Sequence, residues 1–443
     1  MLQDHSLWYT VLRKACRYAA VAAVALALMS VGHAQGQGPG GNEGNEGVDD
    51  RGAVRLLKTV PIPGTAANAT NGKLYSFDIS FVDQLTQTYY LADRSNAVVD
   101  VVDAKTLHLV KQIDGGFKGV ALVGGVVQGG QSGPNGVAAA FPWLFVTDAA
   151  SRVVSIDLRN YAVVSSISTG GADNFRADEL AYDARDGLLL VINANDTPPF
   201  GTFIQVNRGN GHLTVGTKVP LPFATNGAEQ PVWDPGTSRF YLSIPQVNGG
   251  AGAVLRINPT TGVIETTYPI DSCGPAGLTL GRREKLLVGC NTVFDTAGNV
   301  WNPAGTVTAA PKDVILDIET GRTTDVPGAG AGDEIWYNAG DNKYYATGSG
   351  SPLRPTPASA AQGASVLAVI DARDQNLLQL VPTFNVPAVG TGNSSTQHPA
   401  GTAHSVAANA GNNYVFVPLG ANNVFPDCLT GCIAVYFRPP KVE

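Results

Sequence analysis

Apolar and polar residues alternate along this chain in short bursts, and the bursts return in the same order. Between 88 and 113 the sequence TYYLADRSNAVVDVVDAKTLHLVKQI holds three β-rich runs separated by two polar turns, 93–96 and 103–106. From Trp143 the phrase returns as WLFVTDAASRVVSIDLRNYAVVSSI, and looser copies follow. Alternation with a period of two argues for strands, and runs that are apolar at nearly every position argue for strands buried on both faces. A unit this short cannot bury its own faces. It must stack on its copies, so the pattern predicts a repeat architecture.

The third run and its turn set the register. They recur at 97–106 (AVVDVVDAKT), 152–160 (RVVSIDLRN), 202–211 (TFIQVNRGNG), 253–262 (AVLRINPTTG), 313–321 (DVILDIETG) and 365–374 (SVLAVIDARD), with an imperfect last copy at 433–440. The turn residues read as equivalent are Asp103, Asp157, Asn207, Asn258, Glu319 and Asp371, spaced by 54, 50, 51, 61 and 52 positions. Such a period suits four-stranded propeller blades. The seventh copy has no fourth strand after it, while an orphan strand at 54–62 precedes the first unit. Pairing the two completes a seventh blade and leaves no sheet open to a neighbour. The expected fold is therefore all-β, a seven-bladed propeller spanning 53–443 with its ring closed by strand 54–62.

The run YYLADRSNAVVDVVDAKTLHLV resembles the YVTN-type β-propeller repeat: a strand, a small polar turn, a VxVID strand, a Thr-containing turn and a further strand. Residues 144–164 resemble it nearly as well and 240–264 more loosely, while later blades depart from it through insertions. The resemblance implies an exported propeller with a surface, periplasmic or binding role. It implies no particular chemistry.

Composition agrees with this picture. Of 443 residues only 15% are charged, and 52 are Gly and 28 Pro, as many short strands and turns require. The N-terminus reads as a signal peptide over 1–34: Arg13, Lys14 and Arg17 precede an apolar stretch at 18–31, and Gly32-His33-Ala34 offers a cleavage site. The apolar stretch is short and weakly flanked for a membrane span, so none is expected after cleavage; an uncleaved anchor is the alternative. Residues 35–52 read as a disordered leader. The mature chain would carry 26 basic and 35 acidic residues, a net charge of −9, and would be periplasmic or secreted. With no basic stripe, nucleic acid is not an expected partner.

Export also interprets the cysteines. Cys273, Cys290, Cys428 and Cys432 are even in number, which in an oxidising compartment favours two disulfides. A Cys273–Cys290 bridge would clamp a hairpin across the turn at 281–284, and Cys428–Cys432 would close a small loop. Metal ligation by the four thiols is the alternative.

The excess loop length falls on one side of the predicted propeller. Turns between the first and second strands, and between the third and fourth, are tight and rich in Asp, Asn, Gly and Pro. The connections between the second and third strands swell at 193–201, 245–252, 291–312 and 348–363, and those between blades at 114–134 and 387–401. Long loops gathered on one face of a rigid scaffold are where recognition usually resides.

On the same face each first strand begins beside the central channel. Aligning those starts brings Asp78, Gly136, Glu179, Gln230, Gly277, Glu334 and His404 to one level, with Asn135, Asp178, Glu229 and Asp333 one position earlier. Asp78, Glu179, Glu334 and His404 are a candidate set for a hard divalent cation such as Ca²⁺. Such an ion would polarise an ester or lactone carbonyl and activate a water, in a geometry similar to the central metal site of six-bladed lactonase propellers. Asn135, Asp178, Glu229, Gln230 and Asp333 would contact a ligand at the rim, or the rim would simply be solvated. His398 reads as a loop histidine. There is no G-x-S-x-G elbow, and the glycine-rich 328–332 joins two blades instead of opening a helix. Two functions follow as expectations: a binding module for a small molecule, glycan or envelope protein, or a metal-dependent lactonase or other hydrolase.

Overall fold

One turn chemistry builds most of this molecule. A carboxylate oxygen of Asp103 accepts the backbone N–H groups of Lys105 and Thr106, and Leu107 then adopts a positive φ of 58°. The same device, an Asp or Asn followed four positions later by a left-handed residue, recurs at Asp157, Asn207, Asn258 and Asp371. It also closes the turns led by Asp83, Asp183, Asp234, Asn338 and Asn409. A short side-chain acceptor satisfies turn donors locally, which is why Asp and Asn punctuate the repeat.

In the fifth blade this corrects the sequence alignment. The residue that caps the turn is Asp317, which accepts the N–H of Thr320, and Gly321 takes the positive φ of 72°. Glu319 lies exposed in the middle of the turn. Its acidity imitated the capping residue, but the position of the left-handed glycine decides the register.

The structure, a computed structural model, describes residues 52–124, 126–171, 175–301, 311–330, 332–348, 366–383, 403 and 405–439. The expected signal peptide and nearly all of the leader lie outside these. The described chain forms seven four-stranded antiparallel sheets, each in strand order a-b-c-d from the channel outwards. Blade 1, for example, comprises Ser80–Asp83, Thr88–Asp93, Val98–Asp103 and His108–Ile113. The first strands of blades 2 to 7 are Val137–Ala140, Leu180–Asp183, Pro231–Asp234, Cys273–Leu280, Glu334–Asn338 and Ala407–Asn409. Each packs against the next around the channel, and the seventh packs back on the first.

Closure comes from the predicted strand. Arg55–Pro61 is the outermost strand of blade 7, antiparallel to Cys432–Phe437 with Arg55 opposite Phe437 and Pro61 opposite Cys432. The hydrophobic core is correspondingly divided into seven clusters, one at each blade–blade interface. The closing cluster joins Tyr89 and Leu91 of blade 1 to Phe416 and Val435 of blade 7, with the Tyr89 and Phe416 rings stacked 5.0 Å apart. The b and c strands are buried on both faces, as in Trp143–Asp148, whereas outer strands such as Ala162–Ser168 are largely exposed. That difference explains why the b and c copies are the most uniformly apolar.

Both cysteine pairs are disulfides, Cys273–Cys290 with 5.2 Å between Cα atoms and Cys428–Cys432 with 4.9 Å. The first joins the a and b strands of blade 5 across their hairpin, and the second ties off the b–c loop of blade 7. Among the described residues no helix is long and apolar enough to cross a membrane.

Candidate functional site

The mouth of the channel on the long-loop face is built from the residues just before each a strand. There the blades are stapled by backbone bonds: Ile79 donates to the Asn135 carbonyl at 3.2 Å, Gly136 to Asp178 at 3.1 Å, and Gly277 to Gly332 at 3.0 Å. Two of the aligned channel positions are glycine for this reason. A Cβ on Gly136 would sit 2.7 Å from the Asp178 carbonyl oxygen, and one on Gly277 would sit 2.8 Å from that of Asp333. Those positions hold blades together, while the polar side chains come from the others.

On the side of blades 1 to 3 the mouth carries an ion-pair network. Arg94, in the b–c turn of blade 1, pairs with Asp78 and donates from Nε to Asn135 Oδ1 at 2.9 Å. Arg176, just ahead of blade 3, binds Asp178 at 2.7 Å and lies 3.5 Å from both Asp78 and Asn135. Asn135 Nδ2 in turn donates to the Ala177 carbonyl at 3.0 Å. Burial works against the charge on Arg176, but Asp178, Asp78 and Glu229 outweigh it and raise its pKa further. Burial raises the Asp178 carboxyl despite the opposing pull of Arg176. Neither arginine is in the aligned strand starts, so the sequence comparison of those starts found the acids and missed their partners. The spacing signal available was Arg94 inside a turn otherwise made of Asp, Ser and Asn.

On the side of blades 3 to 6 the carboxyl groups are less well compensated. Gln230 donates from Nε2 to Glu334 Oε2 at 2.9 Å while its Oε1 accepts the Leu278 amide at 2.6 Å. Asn291 donates to Asp333 at 3.2 Å. Glu179 is 5% exposed, and its Oε2 has no hydrogen-bond partner among the described residues. Burial, followed by the charges of Glu334, Glu229, Asp178 and Asp78, holds the Glu179 carboxyl well above the usual range. Glu229 and Glu334 are held well above it too, by burial first and then by neighbouring acids, with Arg176 pulling the other way on Glu229.

The sequence-predicted residues Asp78, Asn135, Asp178, Glu179, Glu229, Gln230, Asp333 and Glu334 thus meet at one mouth, linked by contacts or mutual electrostatic influence. His404 and His398 lie outside the described residues. Among the described residues no three of His, Cys, Asp and Glu are grouped to hold a metal ion. Asp78, one of the four expected ligands, is instead occupied by two guanidinium groups, an unfavourable setting for a second positive charge.

No protein-family model matches this sequence, and neither does any curated protein sequence. Among solved structures the chain is similar to Kuenenia stuttgartiensis hydrazine synthase, at 12% identity over 84% of this chain and 98% of that one, with a TM-score of 0.56. At that identity the likeness is one of fold.

Proposed function

We infer that this chain is an exported binding module. It holds a small polar ligand at the mouth of its central channel, on the face that carries the described long connections at 114–124, 126–134, 193–201 and 245–252. The observation carrying this reading is a contrast in how the two faces use their polar groups. On the short-turn face, Asp and Asn side chains are spent on their own turns, as Asp103 is on Lys105 and Thr106. At the mouth, by contrast, side chains reach from one blade to another, as Arg94 does to Asn135, Arg176 to Asp78, Gln230 to Glu334 and Asn291 to Asp333. Concave sites with a few convergent polar groups are where small ligands bind. Exposed apolar side chains on the same loops, Val123 and Val126 between blades 1 and 2 and Leu429 in blade 7, suit additional contact with a glycan or an envelope protein. Two disulfides and the resemblance to YVTN-type repeats support export.

A melting screen tests this reading. Small molecules of anionic, neutral and cationic character, with short glycans, are titrated into wild-type protein, Glu229→Gln at the mouth, and Asp186→Asn on the opposite face. Stabilisation lost in the first variant and kept in the second supports the mouth. Ligands whose effect survives Glu229→Gln, or an entirely silent panel, contradict it.

A further inference from the structure

Resting on that reading of the mouth, we propose that its carboxyl-rich side binds an organic ammonium group, with Glu179 as the principal anchor and Glu229 and Glu334 beside it. The charge inventory points this way. On the side of blades 1 to 3, Arg94 and Arg176 offset Asp78 and Asp178 through direct ion pairs. Across the mouth, Glu179, Glu229 and Glu334 act on one another electrostatically; Arg176 acts on Glu229 from a distance, and the donor that reaches Glu334 is the uncharged amide of Gln230.

Glu179 adds an independent observation. Its side chain is enclosed, yet Oε2 meets no donor among the described residues. A buried acceptor left unsatisfied is costly, and a carboxylate more so than a neutral group. A cation with N–H donors would supply both the missing hydrogen bond and the missing charge.

Geometry selects among cations. A calcium ion needs several oxygens drawn to about 2.3–2.6 Å from one centre, and no three acidic or histidine side chains among the described residues are so grouped. An ammonium group directs three N–H donors outwards and reaches each acceptor at about 2.7–2.9 Å. It therefore tolerates carboxylates that stand further apart. Its carbon chain would leave along the channel, where a metal ion would have nothing to place.

The test uses the full chain, with propylammonium chloride as probe, propan-1-ol as its neutral isostere, and calcium and sodium chloride at matched ionic strength. Affinity is read from the rise in melting temperature over a millimolar series. Propylammonium should stabilise the wild type, propanol and sodium should not, and Glu179→Gln should weaken propylammonium at least tenfold. Because this replacement is isosteric and removes a buried acid, the variant should melt no lower than the wild type, so a lost response is not a folding defect. Equal responses in both proteins, or a response to calcium with none to propylammonium, overturn the proposal. If propylammonium fails while an anionic or neutral ligand acts and is lost in Glu229→Gln, only the ligand class is wrong. If nothing acts at the mouth, the binding reading falls with it.

Discussion

Gln230 donates its side-chain N–H to Glu334 across 2.9 Å, from blade 4 to blade 6, passing over the blade between them. Its carbonyl oxygen meanwhile accepts from Leu278 in that intervening blade. One amide therefore ties three blades at the mouth and shapes the side on which Glu179 stands. Removing it as Gln230→Ala leaves Glu334 and the Leu278 amide without that partner, and should lower stability by about 1–3 kcal/mol. Urea denaturation measures this, and Gln230→Glu, which sets acid against acid, should cost more than Gln230→Ala.

Arg176 holds Asp178 directly and lies within ion-pair reach of Asp78. Its loss as Arg176→Ala strands buried carboxylates and should destabilise by about 3–5 kcal/mol. Pairing it with Asp178→Asn should recover a large part of that loss. A double-mutant cycle by chemical denaturation checks the coupling, and additive effects would show that the ion pair carries none.

Buried acids set the pH dependence of folding, those of the mouth together with Asp313 and Asp93. Burial raises Asp313 to about 7 and Asp93 to about 6, both above their ordinary value of 3.8. A carboxyl with a raised folded pKa binds more protons folded than unfolded between those two values. Its contribution is thus full below pH 4 and is lost as pH rises towards 7. For Asp313 alone a shift of this size corresponds to about 4 kcal/mol. Denaturation at pH 5 and pH 8 should show the difference, and Asp313→Asn should reduce it by the share of that one carboxyl.

The strand that closes the ring should behave as a cooperative latch. Thr59 and Val60 are buried in blade 7, and deleting residues up to Pro61 uncovers the edge of Cys432–Phe437. An unpaired, apolar strand edge invites self-association. The truncated protein should elute as oligomers and be cut rapidly by protease within 407–437, whereas the intact chain should be a resistant single species.

Much of the fold was legible because its signals are local and repeated. The Asp or Asn that caps each turn, and the apolar b and c strands, are written into the sequence at each copy, and even the pairing of strand 54–62 with the last blade follows from counting strands. Blade 5 shows where counting fails, since Glu319 imitates Asp317 and only Gly321 tells them apart. The acidic and amide residues of the mouth were legible by aligning strand starts. Arg94 and Arg176 were not, because they approach from a b–c turn and an inter-blade loop. That Oε2 of Glu179 has no partner among the described residues depends on side-chain contacts between blades and has no trace in the sequence.

The central claim is that the mouth, through Glu179, holds a ligand the protein itself does not supply. A crystal structure of the full chain grown with saturating propylammonium tests it most directly. The account predicts ligand density within hydrogen-bond reach of Glu179, with the Gln230–Glu334 bond intact beside it. Ligand density on the short-turn face, or a Glu179 carboxyl bonded to a protein donor such as Arg176 in an otherwise water-filled mouth, would contradict it.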